Sequence, residues 1–245
     1  MKTIQFMLLG LVILILSACK KNDVVKISTV TNSDLSTRSV TENPANSLNP
    51  FDSVGYWHNK VLEGIQPCIE KINGLGEDAV TGCVIQFATT ANLSPPNLSF
   101  DNVGLLVKDQ VNNYRNILHA MSISQPVKTG LDTLFNIIKR SASQPEINYG
   151  DFKTAVMNYE TKITEDEGLT AVQKETLLKS SSVARFSFCY WMNDHPNDTA
   201  SIFKNITKWI ATVTSDVAGI AVSGNVAYAA DCSQYAYELV SYGMP

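Results

Sequence analysis

Residues 183–191 read VARFSFCYW, a stretch apolar on nearly every side of a helix. A surface helix carries one apolar stripe, whereas a helix apolar all round has to lie in the middle of a bundle. Thr170 and Gln173 stand at capping-box spacing just upstream, so the helix is expected over 171–193. The rings of Phe186, Phe188, Tyr190 and Trp191 could instead stack as a ligand platform, but such a stretch is more often core. Core packing is the reading adopted, with Phe188 at its centre. A chain built around such a helix needs other helices to cover it.

The flanking sequence supplies them. Asn49 and Pro50 suit an N-cap and first helical position, and Phe51, Val54, Val61, Leu62 and Ile65 recur at helical spacing over 50–65. Pro67 lacks an N–H and disfavours helix at the residue before it, so a kink or restart is expected there, with a stop at Asn73-Gly74. Residues 77–91 suit helix or strand, and helix is favoured because no second convincing strand exists to pair with them. Ser99 is placed to cap a helix over 100–121. Apolar spacing then predicts helices around 131–138 and 152–163, the latter followed by a solvated acidic run, Glu165-Asp166-Glu167.

A last helix is expected from Asp198 to about residue 240. In it Ala211, Ser215, Gly219, Ser223 and Ala227 fall at steps of four and form a ridge with almost no side chain. Such ridges let a second helix approach closely. Glycine inside a helix costs about 1 kcal/mol relative to alanine, so Gly219 and Gly224 need a packing reason. A membrane-inserting hairpin is the rival reading. Its uncharged window, 217–230, is about 14 residues long, against about 20 for a bilayer span. The fold class that follows is an all-α bundle of six or seven helices.

Five cysteines occur: Cys19, Cys68, Cys83, Cys189 and Cys232. No C-x-x-C spacing suggests a zinc knuckle or redox pair. Cys68 and Cys83 flank a turn around Gly74 and Gly76, so antiparallel helices would bring them together. Cys189–Cys232 would follow if helix 171–193 packed along the small-residue ridge. The alternative is four reduced, buried thiols acting as small apolar groups.

The N-terminus has a different character. Lys2 precedes an apolar run, Ile4 to Leu16, closed by Leu16-Ser17-Ala18-Cys19. A run of roughly 13 residues is short for a bilayer span and right for a signal peptide. Ending in LSAC, it resembles the lipobox of bacterial lipoproteins. That resemblance implies cleavage before Cys19 and attachment of acyl chains such as palmitate to it. Each buried CH₂ contributes about 0.8 kcal/mol, so two or three chains hold a protein durably on a membrane. Lys20 after the cysteine leans, by the same resemblance, towards the outer membrane. The layout is then signal peptide 1–18, a flexible tether 19–48 rich in Ser, Thr and Asn, and a helical domain 49–245.

Across the chain, NPFDSVGYWHN (49–59), SVARFSFCYW (182–191) and the small-residue last helix, together with the lipobox, resemble helical lipoproteins of Bacteroidetes-type bacteria. That group implies no activity to carry over. Asp52-Ser53-Val54, Asp132-Thr133-Leu134 and Asp198-Thr199-Ala200 look like the O-glycosylation triplet of such bacteria.

Chemical motifs are sparse. A net charge of −4 offers no basic footprint for nucleic acid. His58, His119 and His195 lack metal-binding spacing, no G-x-S-x-G elbow or phosphate loop occurs, and no cofactor is implied. Asp194-His195-Pro196 reads as a polar loop. In Trp57-His58-Asn59 the tryptophan is expected to pack and the histidine to hydrogen-bond at the surface. The sequence therefore points to a membrane-anchored binding or structural module, with an envelope protein or glycan as partner. A membrane-active effector using the last helix and an enzyme with an unrecognised site are the alternatives.

Overall fold

The computed structural model describes residues 43–72, 77–96, 118, 121–144, 147–194 and 202–242, and among them seven helices and no strand form. They are α1 (Asp52–Ile69), α2 (Glu77–Thr90), α3 (Gln125–Ala142), α4 (Tyr149–Glu165), α5 (Ala171–Asp194), α6 (Ile202–Ser223) and α7 (Val226–Tyr242). The all-α class expected from the sequence is the class observed. The helix expected over 100–121 lies outside the described residues except for Leu118 and Met121, both buried.

Helix α5 is the hub. It packs against α1, α3, α4 and α6, and every residue from Ser180 to Trp191 is buried. Its start is a reciprocal capping box: Thr170 N–H donates to Gln173 Oε1 at 2.9 Å, and Gln173 N–H donates to Thr170 Oγ1 at 3.3 Å. Phe188 stacks on Phe152 of α4 with centroids 4.0 Å apart, and Trp191 stacks on Tyr237 of α7 at 4.5 Å.

Two boundaries differ from expectation near α1. Asn49 is not its N-cap: the cap position is Phe51, and Asn49 Oδ1 instead accepts the Phe51 N–H at 2.9 Å in a tight turn. The packed chain also reaches back to Pro44, so residues 44–48 belong with the helices rather than with a tether. Helix α1 then runs through Pro67 to Ile69 without restarting. The proline removes a single N–H bond, and the helix continues for only two residues beyond it. Ile65 and Ile69 are buried on either side of it, and a disulfide ties the next residue.

That disulfide joins Cys68 to Cys83 of α2, with Cα atoms 5.7 Å apart. Closing a loop of about 15 residues stabilises by about 3 kcal/mol in the chain-entropy account. Cys189 and Cys232 are free thiols, each buried, so the second expected bridge does not form.

The reason lies in the C-terminal segment, where the sequence predicts one helix and the structure has two. Gly224 takes a left-handed φ of +64°, which glycine adopts without steric penalty, and ends α6. Asn225 then caps α7, its Oδ1 accepting the N–H groups of Ala227 at 2.8 Å and Tyr228 at 3.2 Å. The small-residue ridge is thus divided: Ala211, Ser215, Gly219 and Ser223 lie on α6, and Ala227 lies on α7. Its partner is the chain's own continuation. A Cβ at Gly219 would lie 3.0 Å from Ala229 Cα and 3.1 Å from Cys232 Sγ, so the ridge brings Cys232 against Gly219. Gly219→Val is expected to destabilise the fold by about 1–3 kcal/mol through overpacking. Urea denaturation reads this directly, and an unchanged or raised midpoint would contradict the close α6–α7 approach.

Candidate functional site: two buried polar clusters

The bundle interior buries His58, Glu160, Arg185, Asp216, Asp231 and Glu238, and the first four of these form two clusters around α5. The first draws on α1, α5, α6 and α7. Gly55 lets α1 lie close to α5, because a Cβ there would meet the Ser182 carbonyl oxygen at 2.6 Å. One turn on, His58 is 0% exposed and its Nε2 lies 3.1 Å from Oδ1 of Asp216, also 0% exposed. Ser187 Oγ donates a short hydrogen bond to Asp216 Oδ2, and Ser233 also hydrogen-bonds this carboxylate. Trp191 Nε1 in turn donates to Ser233 Oγ at 3.1 Å. Burial raises the Asp216 pKa from its usual value, opposed by His58, Ser187 and Ser233. Burial, then the charges of Asp231 and Asp216, pushes the Cys232 thiol well up as well, so it stays protonated and unreactive.

The second cluster holds the start of the domain. Arg185 of α5 is fully buried and uses all three of its nitrogens. Nη1 donates to the Pro44 carbonyl and Nη2 to Asp52 Oδ1, both as short contacts. Nη2 and Nε also reach Glu160 Oε1, at 3.1 and 3.2 Å. Glu160 of α4 further accepts from Asn46 Nδ2 and Asn49 Nδ2, each at 2.7 Å, and from Ser181 Oγ at 2.8 Å. Asn49 Nδ2 also donates to the Leu178 carbonyl at 2.9 Å. Residues 44–49 are thereby bolted to α1, α4 and α5 through charge-assisted bonds, which are stronger than neutral ones. Beside this cluster the Tyr159 hydroxyl donates to the Gly130 carbonyl at 3.1 Å. Burial and the Glu160 charge hold its pKa far above the ordinary tyrosine value.

The first cluster contains serine, histidine and aspartate, but not in the order that activates a nucleophile. There the histidine stands between serine and carboxylate and takes the serine proton. Here Asp216 stands in the middle, Ser187 donates to it, and both the histidine and the aspartate are closed to solvent. Among the described residues no group of three His, Cys, Asp or Glu side chains is placed to hold a metal ion. No described helix is long and apolar enough to cross a membrane.

The residues singled out in the sequence are distributed as follows. Cys19, His119, His195 and the 198–200 triplet lie outside the described residues. Trp57 and His58 exchange the roles expected of them: Trp57 is 42% exposed and His58 is completely buried. The missing step in the stripe Phe51, Val54, Val61, Leu62, Ile65 was the signal, since position 58 fills it. Of the other triplets, Asp52 is held in the Arg185 cluster, Ser53 is exposed, and Thr133 Oγ1 donates to the Thr129 carbonyl at 3.1 Å. No protein-family model matches the chain, no curated protein matches its sequence, and no solved structure matches it.

Proposed function

We propose that this chain is a lipoprotein held at the cell envelope, on the outer membrane, through acylated Cys19, with its helical domain serving as a binding or structural module. The observation that carries this reading is the LSAC sequence at 16–19, at the end of an apolar run of signal-peptide length. The Arg185–Glu160 cluster supports it. A domain pulled on through its N-terminus needs that entry point fixed, and here Pro44, Asn46 and Asn49 are bonded directly to buried charges. A partner, an envelope protein or glycan, would bind the outer faces of the helices, because the buried polar clusters are closed to solvent.

A membrane-active role for the last helices fits less well. It requires the small-residue face of α6 to meet lipid, and Gly219 on that face already lies against Ala229 and Cys232. The test is Cys19→Ala in the native cells. The substituted protein should accumulate as unprocessed precursor and leave the outer-membrane fraction, while normal fractionation of this variant would sink the proposal.

A further inference from the structure

The hydrogen bonds around His58 determine where its protons are. Asn59 Nδ2 donates to the Phe186 carbonyl at 2.9 Å; the reversed amide would set two oxygens against each other at that distance. Asn59 Oδ1 therefore faces His58 Nδ1, 3.1 Å away, and Nδ1 must carry a hydrogen to donate to it. The other ring nitrogen, Nε2, faces Asp216 Oδ1 at 3.1 Å, with both side chains 0% exposed. A neutral Nδ1–H imidazole would point a lone pair at a carboxylate oxygen with no water to intervene. The two atoms touch without being aligned as a hydrogen bond, and one more proton, on either atom, relieves the repulsion between them.

We infer that the His58–Asp216 contact traps one proton that the folded domain must keep, which makes folding itself sensitive to alkaline pH. Burial opposes its loss, against the pull of the hydroxyls that donate to Asp216. From α5, Ser187 donates to Asp216, while Arg185 is committed to Glu160, Asp52 and the Pro44 carbonyl. From α7, Ser233 bonds Asp216, and the Cys232 thiol feels the charges of both Asp216 and Asp231. Asp231 is itself bonded by Thr81 of α2 at 2.8 and 2.9 Å. From α6, the buried polar neighbours described are the neutral hydroxyls of Thr212, Thr214 and Ser215. Removing the proton would leave a fully buried negative charge that faces the His58 lone pair and has only neutral hydroxyls to offset it.

The sign follows from counting protons in the two states. In an unfolded chain a free aspartate gives up its proton near pH 3.9 and an imidazole its second near 6.5. Between these values the folded and unfolded pair carry the same two protons, and stability from this source is flat. Above about 6.5 the folded pair holds one proton more, so the folding equilibrium weakens up to about tenfold per pH unit. Asp216 alone gives the same direction: its raised pKa in the folded state favours the fold at low pH and is lost as pH rises. Asp216→Asn removes the effect, because the amide donates to a neutral His58 and still accepts from Ser187.

Urea denaturation of the wild type and Asp216→Asn between pH 7 and 9 tests the inference. The ratio of their folding constants should fall by up to about 100-fold across that range, and parallel profiles would overturn it. Should Asp216→Asn fail to fold, the wild type decides. Nitrogen-15 NMR of labelled histidine should show a His58 Nδ1–H persisting from pH 6 to 9. A His58 ring that instead titrates like a free imidazole, or carries its lone hydrogen on Nε2, would overturn the trapped proton.

Discussion

Replacing Arg185 with leucine is expected to lower the stability of the domain by about 3–5 kcal/mol, the usual consequence of stranding buried charges. Arg185 is fully buried and stands between Glu160 and Asp52, so its loss leaves two carboxylates facing one another beside the unpaired Pro44 carbonyl. Lysine should not rescue it. A single ammonium cannot reproduce the fork that reaches Pro44, Asp52 and Glu160 together. Partial recovery is expected in Arg185→Leu/Glu160→Leu, where one of the stranded charges is removed with the arginine. Chemical denaturation monitored by circular dichroism reads the shift, with the slope checked for constancy. A change within about 0.5 kcal/mol would mean that the cluster is replaceable.

Phe188→Ala is the second large effect, at about 3–5 kcal/mol, because a buried aromatic leaves both lost transfer energy and a cavity. Phe188 stacks on Phe152, lies 6.3 Å from both Tyr149 and Trp209, and so joins α4 and α6 through α5. Rigid helices on all sides cannot collapse into the space, which places the cost at the upper part of that range. The companion Phe152→Ala should couple to it in a double-mutant cycle, since stacked rings contribute about 0.5–1.5 kcal/mol beyond burial. A neutral Phe188→Ala would remove α5 from the centre of the fold.

The hub was legible because its signal is local: nine consecutive residues, apolar on nearly every side, and a capping box at fixed spacing. The hairpin between α6 and α7 was not, although its signal is local too. Small residues at steps of four look alike whether the helix continues or folds back on itself. Ser223-Gly224-Asn225 carries the stop and the new cap, but glycine within a small-residue ridge also reads as packing. That one break explains the cysteines. Folding back brings Cys232 to Gly219 and leaves Cys189 to receive Asn193 Nδ2 at 3.4 Å.

The polar clusters were hidden for a different reason. Asp52, Glu160 and Arg185 are separated by 25 to 133 residues along the chain, and each alone resembles a solvated charge. Glu160 lies eight residues after Phe152, on the same helical face as Val156 and Ile163, and that register was the available clue. His58 gave a similar one by filling the gap in the α1 stripe. Charge on a buried stripe implies a partner, but only the assembled fold says which.

Mass spectrometry of the protein isolated from its own envelope tests the central claim most directly. The proposed anchor predicts a mature chain beginning at Cys19, with its mass raised by covalent acyl chains and residues 1–18 absent. An unacylated chain, or one beginning at any other residue, would contradict it.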